Sequence, residues 1–226
     1  MTDYRADLPE RPRRFMKLPI DERGFPVPWF VAWQDGKPDF RVVRPGGIAT
    51  AHKNGLCWLC GEPRGVYGAF VIGPMCGINR VSSEPPSHRD CAEYAVRACP
   101  FLTRPMAVRN SRDMPADAHN PAGDMITRNP GVTLLWVTKT YTPFRVGADP
   151  RNPEIAAGVL FRIGDPTEVT FWAKGRKATR AEVDDSVTSG LPLLEERAQR
   201  QGDAAVRELT RLRERFSLIL AEACPA

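Results

Sequence analysis

Cys57-Trp58-Leu59-Cys60-Gly61 and Pro85-Pro86-Ser87-His88-Arg89-Asp90-Cys91 are the two stretches that decide how this chain is read. A Cys-x-x-Cys turn aims two sulfurs at one point, and the glycine after it lets backbone amides face the thiolates. In the second stretch Ser87 is a good N-cap after two prolines, and Asp90 follows at the third helical position, a capping box with Asp in place of Glu. His88 and Cys91, three apart, then share one face of the first helical turn. Three thiolates and one imidazole form a closed tetrahedral set, the usual structural zinc site. The expectation is therefore one structural zinc ion held by Cys57, Cys60, His88 and Cys91. The histidine and the lack of a cluster-type cysteine run argue against iron–sulfur. A thioredoxin-like redox pair has the same spacing but must open a helix, which Gly61-Glu62-Pro63 breaks at once. One alternative stays open: Cys76, in the turn-like Gly73-Pro74-Met75-Cys76-Gly77, replaces His88 to give four cysteines. Cys99 is expected buried rather than ligating, and Cys224 carries no readable role.

Between the two ligand pairs, Gly65–Gly73 has the apolar character of a strand pair. Knuckle, hairpin, then a helix whose first turn supplies the last ligands: over about residues 56–100 that order resembles the treble-clef zinc finger. Upstream, residues 1–24 read as a polar, proline-broken arm. Residues 25–55 read as a hairpin region, with Trp29–Trp33 and Phe40–Val43 flanking Asp35-Gly36, a favoured turn dipeptide. A short helix near Ile48–Lys53 should end by Gly55.

Downstream, residues 101–130 are rich in Pro, Asn, Asp and Met without period, as in a lid, a binding loop or a linker. Residues 131–226 read as strands followed by helices. Gly131–Tyr141, Gly158–Ile163 and Glu168–Ala173 are strand candidates, the last two joined by Gly164-Asp165-Pro166 as an antiparallel hairpin. Thr179-Arg180-Ala181-Glu182 predicts a helix from Arg180 to Gly190. Ala205, Leu209, Leu212, Phe216, Ile219 and Ala223 place one apolar stripe on a final helix, expected to pack on the chain's own sheet. The predicted fold is α+β: a treble-clef-like zinc module packed on a small antiparallel sheet with C-terminal helices.

With 226 residues and 42% hydrophobic content, the chain can bury a real core. No apolar h-region opens it and no apolar run approaches membrane length, so the expectation is a cytoplasmic protein without a membrane partner. Its six cysteines then read as ligands or buried thiols before disulfides. The formal charge of +5 sits mostly in residues 1–56, around Arg11, Arg13, Arg14 and Lys17. Lys174, Arg176 and Lys177 form a second basic turn that could meet phosphates, and Trp29, Trp33, Trp136 and Trp172 could stack bases, although strand tryptophans are more often buried. On the last helix Arg211, Arg213 and Arg215 alternate with Glu208 and Glu214, which favours a solvated face over a phosphate track.

No catalytic set emerges. His52 and His119 lack the partners of a His-Asn-His nuclease. A deaminase needs Glu two residues after the ligating histidine, where this chain has Asp90. Asp184 and Asp185 face different directions on a helix. The reading is a zinc-stabilised intracellular binding protein acting through nucleic-acid or protein contacts. The rival is a hydrolase or nuclease-like enzyme with its site between the zinc module and the 131–174 sheet, to which a pocket uniting Cys76, Arg80 or His119 would point. The stretches GFPVPWFVAW, GLCWLCG, GPMCGINRVSSEPPSHRDCAEYAVRACPFL and ATRAEVDDSVTSGLPLLEERA together resemble a set of uncharacterised bacterial and phage proteins. That resemblance implies no activity. It does imply that module, sheet and helices form one unit.

Overall fold

Alternating apolar residues between Thr133 and Ala173 build the central feature, an antiparallel ribbon of two long arms. A computed structural model describes residues 3–105, 107–114, 122–123, 128–148 and 156–225 of the protein. After a short 3-10 turn at Arg13–Lys17, the elements run β1 (Val31–Gln34), β2 (Lys37–Val43), α1 (Gly47–Lys53), β3 (Gly68–Ile72), α2 (Pro74–Asn79), β4 (Val81–Ser82) and α3 (Arg89–Ala98). They continue as β5 (Thr133–Thr138), β6 (Tyr141–Val146), β7 (Gly158–Ile163), β8 (Pro166–Ala173), β9 (Arg176–Lys177), α4 (Arg180–Gln201) and α5 (Asp203–Ala223).

One arm is β5 followed by β6, the other β7 followed by β8. They pair from Thr133↔Trp172 to Thr138↔Pro166, and again from Tyr141↔Ile163 to Val146↔Gly158. The expected hairpin between Gly158–Ile163 and Glu168–Ala173 is therefore not formed: those strands lie end to end in one arm. Gly164-Asp165 makes a corner instead of a reversal, opposite Lys139-Thr140. The Gly164 N–H donates to the Thr140 carbonyl at 2.9 Å. A Cβ on Gly164 would lie 2.1 Å from Thr140 Oγ1 and 2.4 Å from the Thr140 carbonyl oxygen, so only glycine fits. The freed carbonyls at the corner are satisfied by side chains, Gly164 O by Trp136 Nε1 at 3.1 Å and Asp165 O by Thr138 Oγ1 at 2.8 Å. The corner divides the ribbon between two sheets, ordered β3-β5-β8-β9 and β4-β7-β6. β6 was not anticipated because Pro143 interrupts it. It lies at a sheet edge, where a missing backbone donor is tolerated.

The four-stranded sheet is covered on both faces, and β5 is buried along its whole length. One face carries Phe70, Ile72, Leu134, Trp136 and Phe171, packed with Val183 of α4 and Leu209, Phe216 and Leu220 of α5. The other carries Ala69, Leu135, Val137 and Trp172 against Ala92 and Val96 of α3. This is the period-2 alternation of strands converted into two separate cores. The α5 stripe packs on the chain's own sheet, as its spacing predicts.

α4 begins with the expected capping box at Thr179 and Glu182, but it runs past Gly190 and Pro192 to Gln201. Gly190 is a point of close approach and not a stop: a Cβ there would meet Met75 of α2 at 2.9–3.1 Å. The strand pair expected over Gly65–Gly73 is also corrected. Only β3 forms, and it pairs with β5 instead of folding back on its own module. β1 and β2 form the anticipated hairpin, with positive φ at both Asp35 (47°) and Gly36 (76°), as a tight primed turn requires. Among the described residues no helix is long and apolar enough to cross a membrane.

Candidate metal centre

The turn after α1 and the start of α3 bring the four predicted ligands together. One donor atom from each of Cys57, Cys60, His88 and Cys91 lies within 4.8 Å of every other, close enough to hold one metal ion. Cys57 and Cys91 are fully buried and Cys60 nearly so. Gly61 takes φ 75° and its N–H donates to the Cys57 carbonyl at 2.9 Å, closing the knuckle. The Cys57 sulfur accepts from the backbone N–H of Cys60 at 3.4 Å and of His88 at 3.3 Å.

The helix starts one residue later than its sequence suggests. Ser87 does not cap it. Its backbone exchanges two 2.8 Å hydrogen bonds with Ala69 of β3, and the N-cap falls on His88. That bridge ties the ligand-bearing turn to the central sheet. Because the imidazole makes no cap bond, it is free to face the sulfurs. Its Nδ1 lies 3.4 Å from Cys60 Sγ and 3.9 Å from Cys91 Sγ. Its Nε2 lies 3.1 Å from the Pro63 carbonyl, which fixes the proton on Nε2 and leaves the Nδ1 lone pair pointing into the cluster.

The three thiols are electrostatically linked. Burial opposes charge at Cys57, yet hydrogen bonds from the Cys60 and Cys91 thiols and two backbone amides hold it far below the ordinary thiol range. The same hydrogen bond to Cys57 pushes Cys60 up to about 11. Hydrogen bonds with Cys57 and then Cys60 push Cys91 up as well. Without a cation, one thiolate suppresses its neighbours. A bound metal ion removes that conflict by stabilising all three as thiolates.

Apolar side chains surround the cluster, and spacing alone does not reveal them. Phe15, Leu59, Tyr94 and Ala98 pack around the cysteines, with Phe15 edge-on to Tyr94 at 4.9 Å. The N-terminal arm is thus docked on the centre. Arg14 pairs with Asp90 at 2.7 Å, and Lys17 with Glu62 at 2.7 Å.

The other candidate residues lie elsewhere. Cys76 is in α2 and packs against the large core, not the ligand cluster, so the four-cysteine alternative has no geometric basis. Its thiol is pushed up to about 11 by burial. Cys99 caps the end of α3, and Cys224 lies in the large core. Arg80 is engaged by Asp165 at 3.0 Å and lies over the Trp136 ring at 4.7 Å. His52 packs edge-on to Tyr141, while His119 lies outside the described residues. Lys174 and Arg176 both pair with Glu182, at 3.1 and 2.9 Å, and Lys177 lies 4.1 Å over Trp172. Trp136 and Trp172 are buried, but Trp33 is 50% exposed. Asp184 pairs with Arg180 at 2.9 Å.

The chain matches none of the protein-family models, curated proteins or solved structures with which it was compared, so its resemblance to bacterial and phage proteins gains no support from them.

Proposed function

We propose that Cys57, Cys60, His88 and Cys91 hold one structural zinc ion, and that the protein is a zinc-stabilised intracellular binding protein that works through protein contacts. The observation that carries this reading is the closed donor set: three sulfurs and one imidazole nitrogen within 4.8 Å of one another, all from protein. Such a set matches the softness and tetrahedral preference of zinc and keeps no position for a reacting water. The knuckle precedes the ligand-bearing helix as in a treble clef, but the hairpin expected between them is absent, because β3 pairs with β5 of the central sheet. A reducing compartment suits six cysteines that are all free thiols.

Protein contacts are preferred to nucleic acid because cations of both basic segments already face carboxylates. Arg14 and Lys17 face Asp90 and Glu62, and Lys174 and Arg176 share Glu182. Such cations release few counterions on meeting a phosphate. Elemental analysis of dialysed protein tests the metal reading directly. About one zinc per chain is expected, and a fully folded protein without metal would defeat it.

A further inference from the structure

A groove of about 510 Å³ runs beside the knuckle, between the N-terminal arm and β1. That volume is in the range of sites that take a small ligand or a short peptide segment. Pro19, Pro28, Trp29, Trp33, Arg44 and Pro45 line it, over a floor of buried aliphatic side chains. Three features set it apart from an ordinary apolar depression.

Its indole N–H groups make no internal hydrogen bond. Trp136 and Trp172 donate their ring N–H groups to Gly164 O and Thr170 Oγ1. Neither Trp29 nor Trp33 has an internal acceptor among the described residues. A ligand presenting carbonyl oxygens along an apolar ridge would satisfy both.

Its cation meets no carboxylate. Neighbouring arginines are held by carboxylates, Arg23 by Asp21 and Arg41 by Asp39. Arg44 lies 4.6 Å over the Trp29 ring and reaches the Trp29 carbonyl at 3.4 Å, yet pairs with no carboxylate among the described residues. It gives the groove lining a positive charge that no carboxylate compensates among the described residues.

Finally, the wall is mounted on the metal module. The Trp29 N–H donates to the Leu59 carbonyl at 2.8 Å. Its ring occupies the space a side chain on Gly61 would need, 2.3–2.9 Å from an ideal Cβ. It also meets Trp58 edge-on at 6.3 Å. Both contacts fall on residues beside the Cys60 and Cys57 ligands.

We infer that this groove docks an extended, proline-containing segment of a partner protein, with an acidic side chain of that segment on Arg44. A polyproline-type strand is stiff before it binds and exposes its carbonyls, the surface that tryptophan-lined grooves recognise. Glutamate or aspartate supplies the complement to Arg44. A single cation on an otherwise apolar wall does not suit a nucleic-acid backbone, which needs cations in series. The inference rests on the zinc reading only in that the knuckle positions Trp29.

The test titrates zinc-loaded protein with a short fluorescein-labelled peptide alternating proline pairs with glutamate, followed by anisotropy. A version with lysine in place of glutamate and an oligouridine serve as controls. Saturable binding of the glutamate peptide is expected. Trp33→Ala should weaken it roughly tenfold or more, as for a central aromatic anchor. Arg44→Glu should reverse the preference between glutamate and lysine peptides. Both residues are exposed, and unchanged melting confirms that each variant folds. Zinc content is measured on the same samples. A folded, zinc-loaded protein that ignores the peptide, or binds it equally well as Trp33→Ala, overturns the groove and leaves the metal reading intact. Oligouridine displacing the peptide, or a self-associated dimer that covers the groove, overturns it too. A folded protein without zinc that still binds the peptide overturns the metal reading and not the groove.

Discussion

Two clusters of buried residues, one packed on the central sheet and one gathered around the knuckle, are built on different principles. The larger unites Phe70, Leu134, Trp136, Phe161, Phe171, Val183 and Phe216 from strands and two helices. It is apolar throughout, and removal of that area from water is enough to hold it, at about 25 cal/mol per Å². In the smaller, around the knuckle, Cys57, Cys60 and Cys91 stand beside Phe15, Leu59, Tyr94 and Ala98. Its elements are a five-residue 3-10 turn and a ten-residue helix, shorter than the ~12–15 residues at which isolated helices become marginal. One core is held by area; the other gathers four donor atoms close enough to hold one metal ion. The link between them is narrow: the Ala69–Ser87 bridge and the packing of Ala92 and Val96 on the sheet.

The largest expected effect breaks one core and spares the other. Cys91→Ser, or chelation of the wild type, removes a contribution that for structural zinc sites is of order ~10 kcal/mol. Amide hydrogen exchange should show protection lost through Arg89–Ala98, the knuckle and the docked arm. Protection in β5, β8 and α5 should persist. Equal loss everywhere would mean that the two cores unfold as one. No loss anywhere would remove the structural role of the metal.

The reciprocal experiment strikes the large core. In Gly164→Ala the added methyl meets the Thr140 backbone carbonyl at 2.4 Å, an atom that cannot move without opening the corner. A cost of about 3 kcal/mol is expected, at the upper end for an overpacked site. For Gly190→Ala the three nearest atoms all belong to the side chain of Met75, which can change rotamer, and the cost should be clearly less. Urea midpoints of the two variants give the comparison, and zinc content should be normal in both. A Gly164→Ala protein as stable as Gly190→Ala would show that the corner is not the rigid point described.

The same contrast explains what could be read from sequence. The cluster of donors was legible because Cys57/Cys60 and His88/Cys91 are local pairs whose spacing is itself the chemistry. Asp35-Gly36 and the Thr179–Glu182 box were legible for the same reason. What failed depends on distant chain. Gly164-Asp165-Pro166 signals a change of direction, but only the opposing Thr140 makes it a corner and not a hairpin. Gly190 looks like a helix stop until Met75 lies against it. Gly65–Gly73 looks like a strand pair until β5 arrives to pair with β3. The arm looked free because nothing near Phe15 predicts its burial against Tyr94. The basic residues looked available because Arg14 meets Asp90 only in three dimensions.

The smallest expected effect lies at Glu182, at the start of α4. Its carboxylate accepts from the Thr179 N–H at 3.0 Å, from Arg176 at 2.9 Å and from Lys174 at 3.1 Å. The Arg176 hydrogen bond first, and the Thr179 amide next, pull its pKa from the ordinary 4.5 down to about 2. A carboxyl depressed on folding contributes stability above its unfolded pKa and loses it as pH falls through the folded one. Glu182→Gln should therefore cost about 1 kcal/mol near neutrality, the size of a helix cap, and the gap from wild type should close between about pH 4.5 and about 2. Acid would also protonate Cys57, Cys60 and Cys91 and expel any metal held there. That effect is common to both proteins and cancels in the difference between them, so the variant reports on the helix start alone. A gap that stays constant down to pH 2 would assign the effect to packing and not to charge. The substitution also releases Lys174 and Arg176 from their shared carboxylate. If oligonucleotide binding then rose and fell steeply with salt, the basic turn would be a phosphate site held shut by Glu182, and the preference for a protein partner would have to be given up.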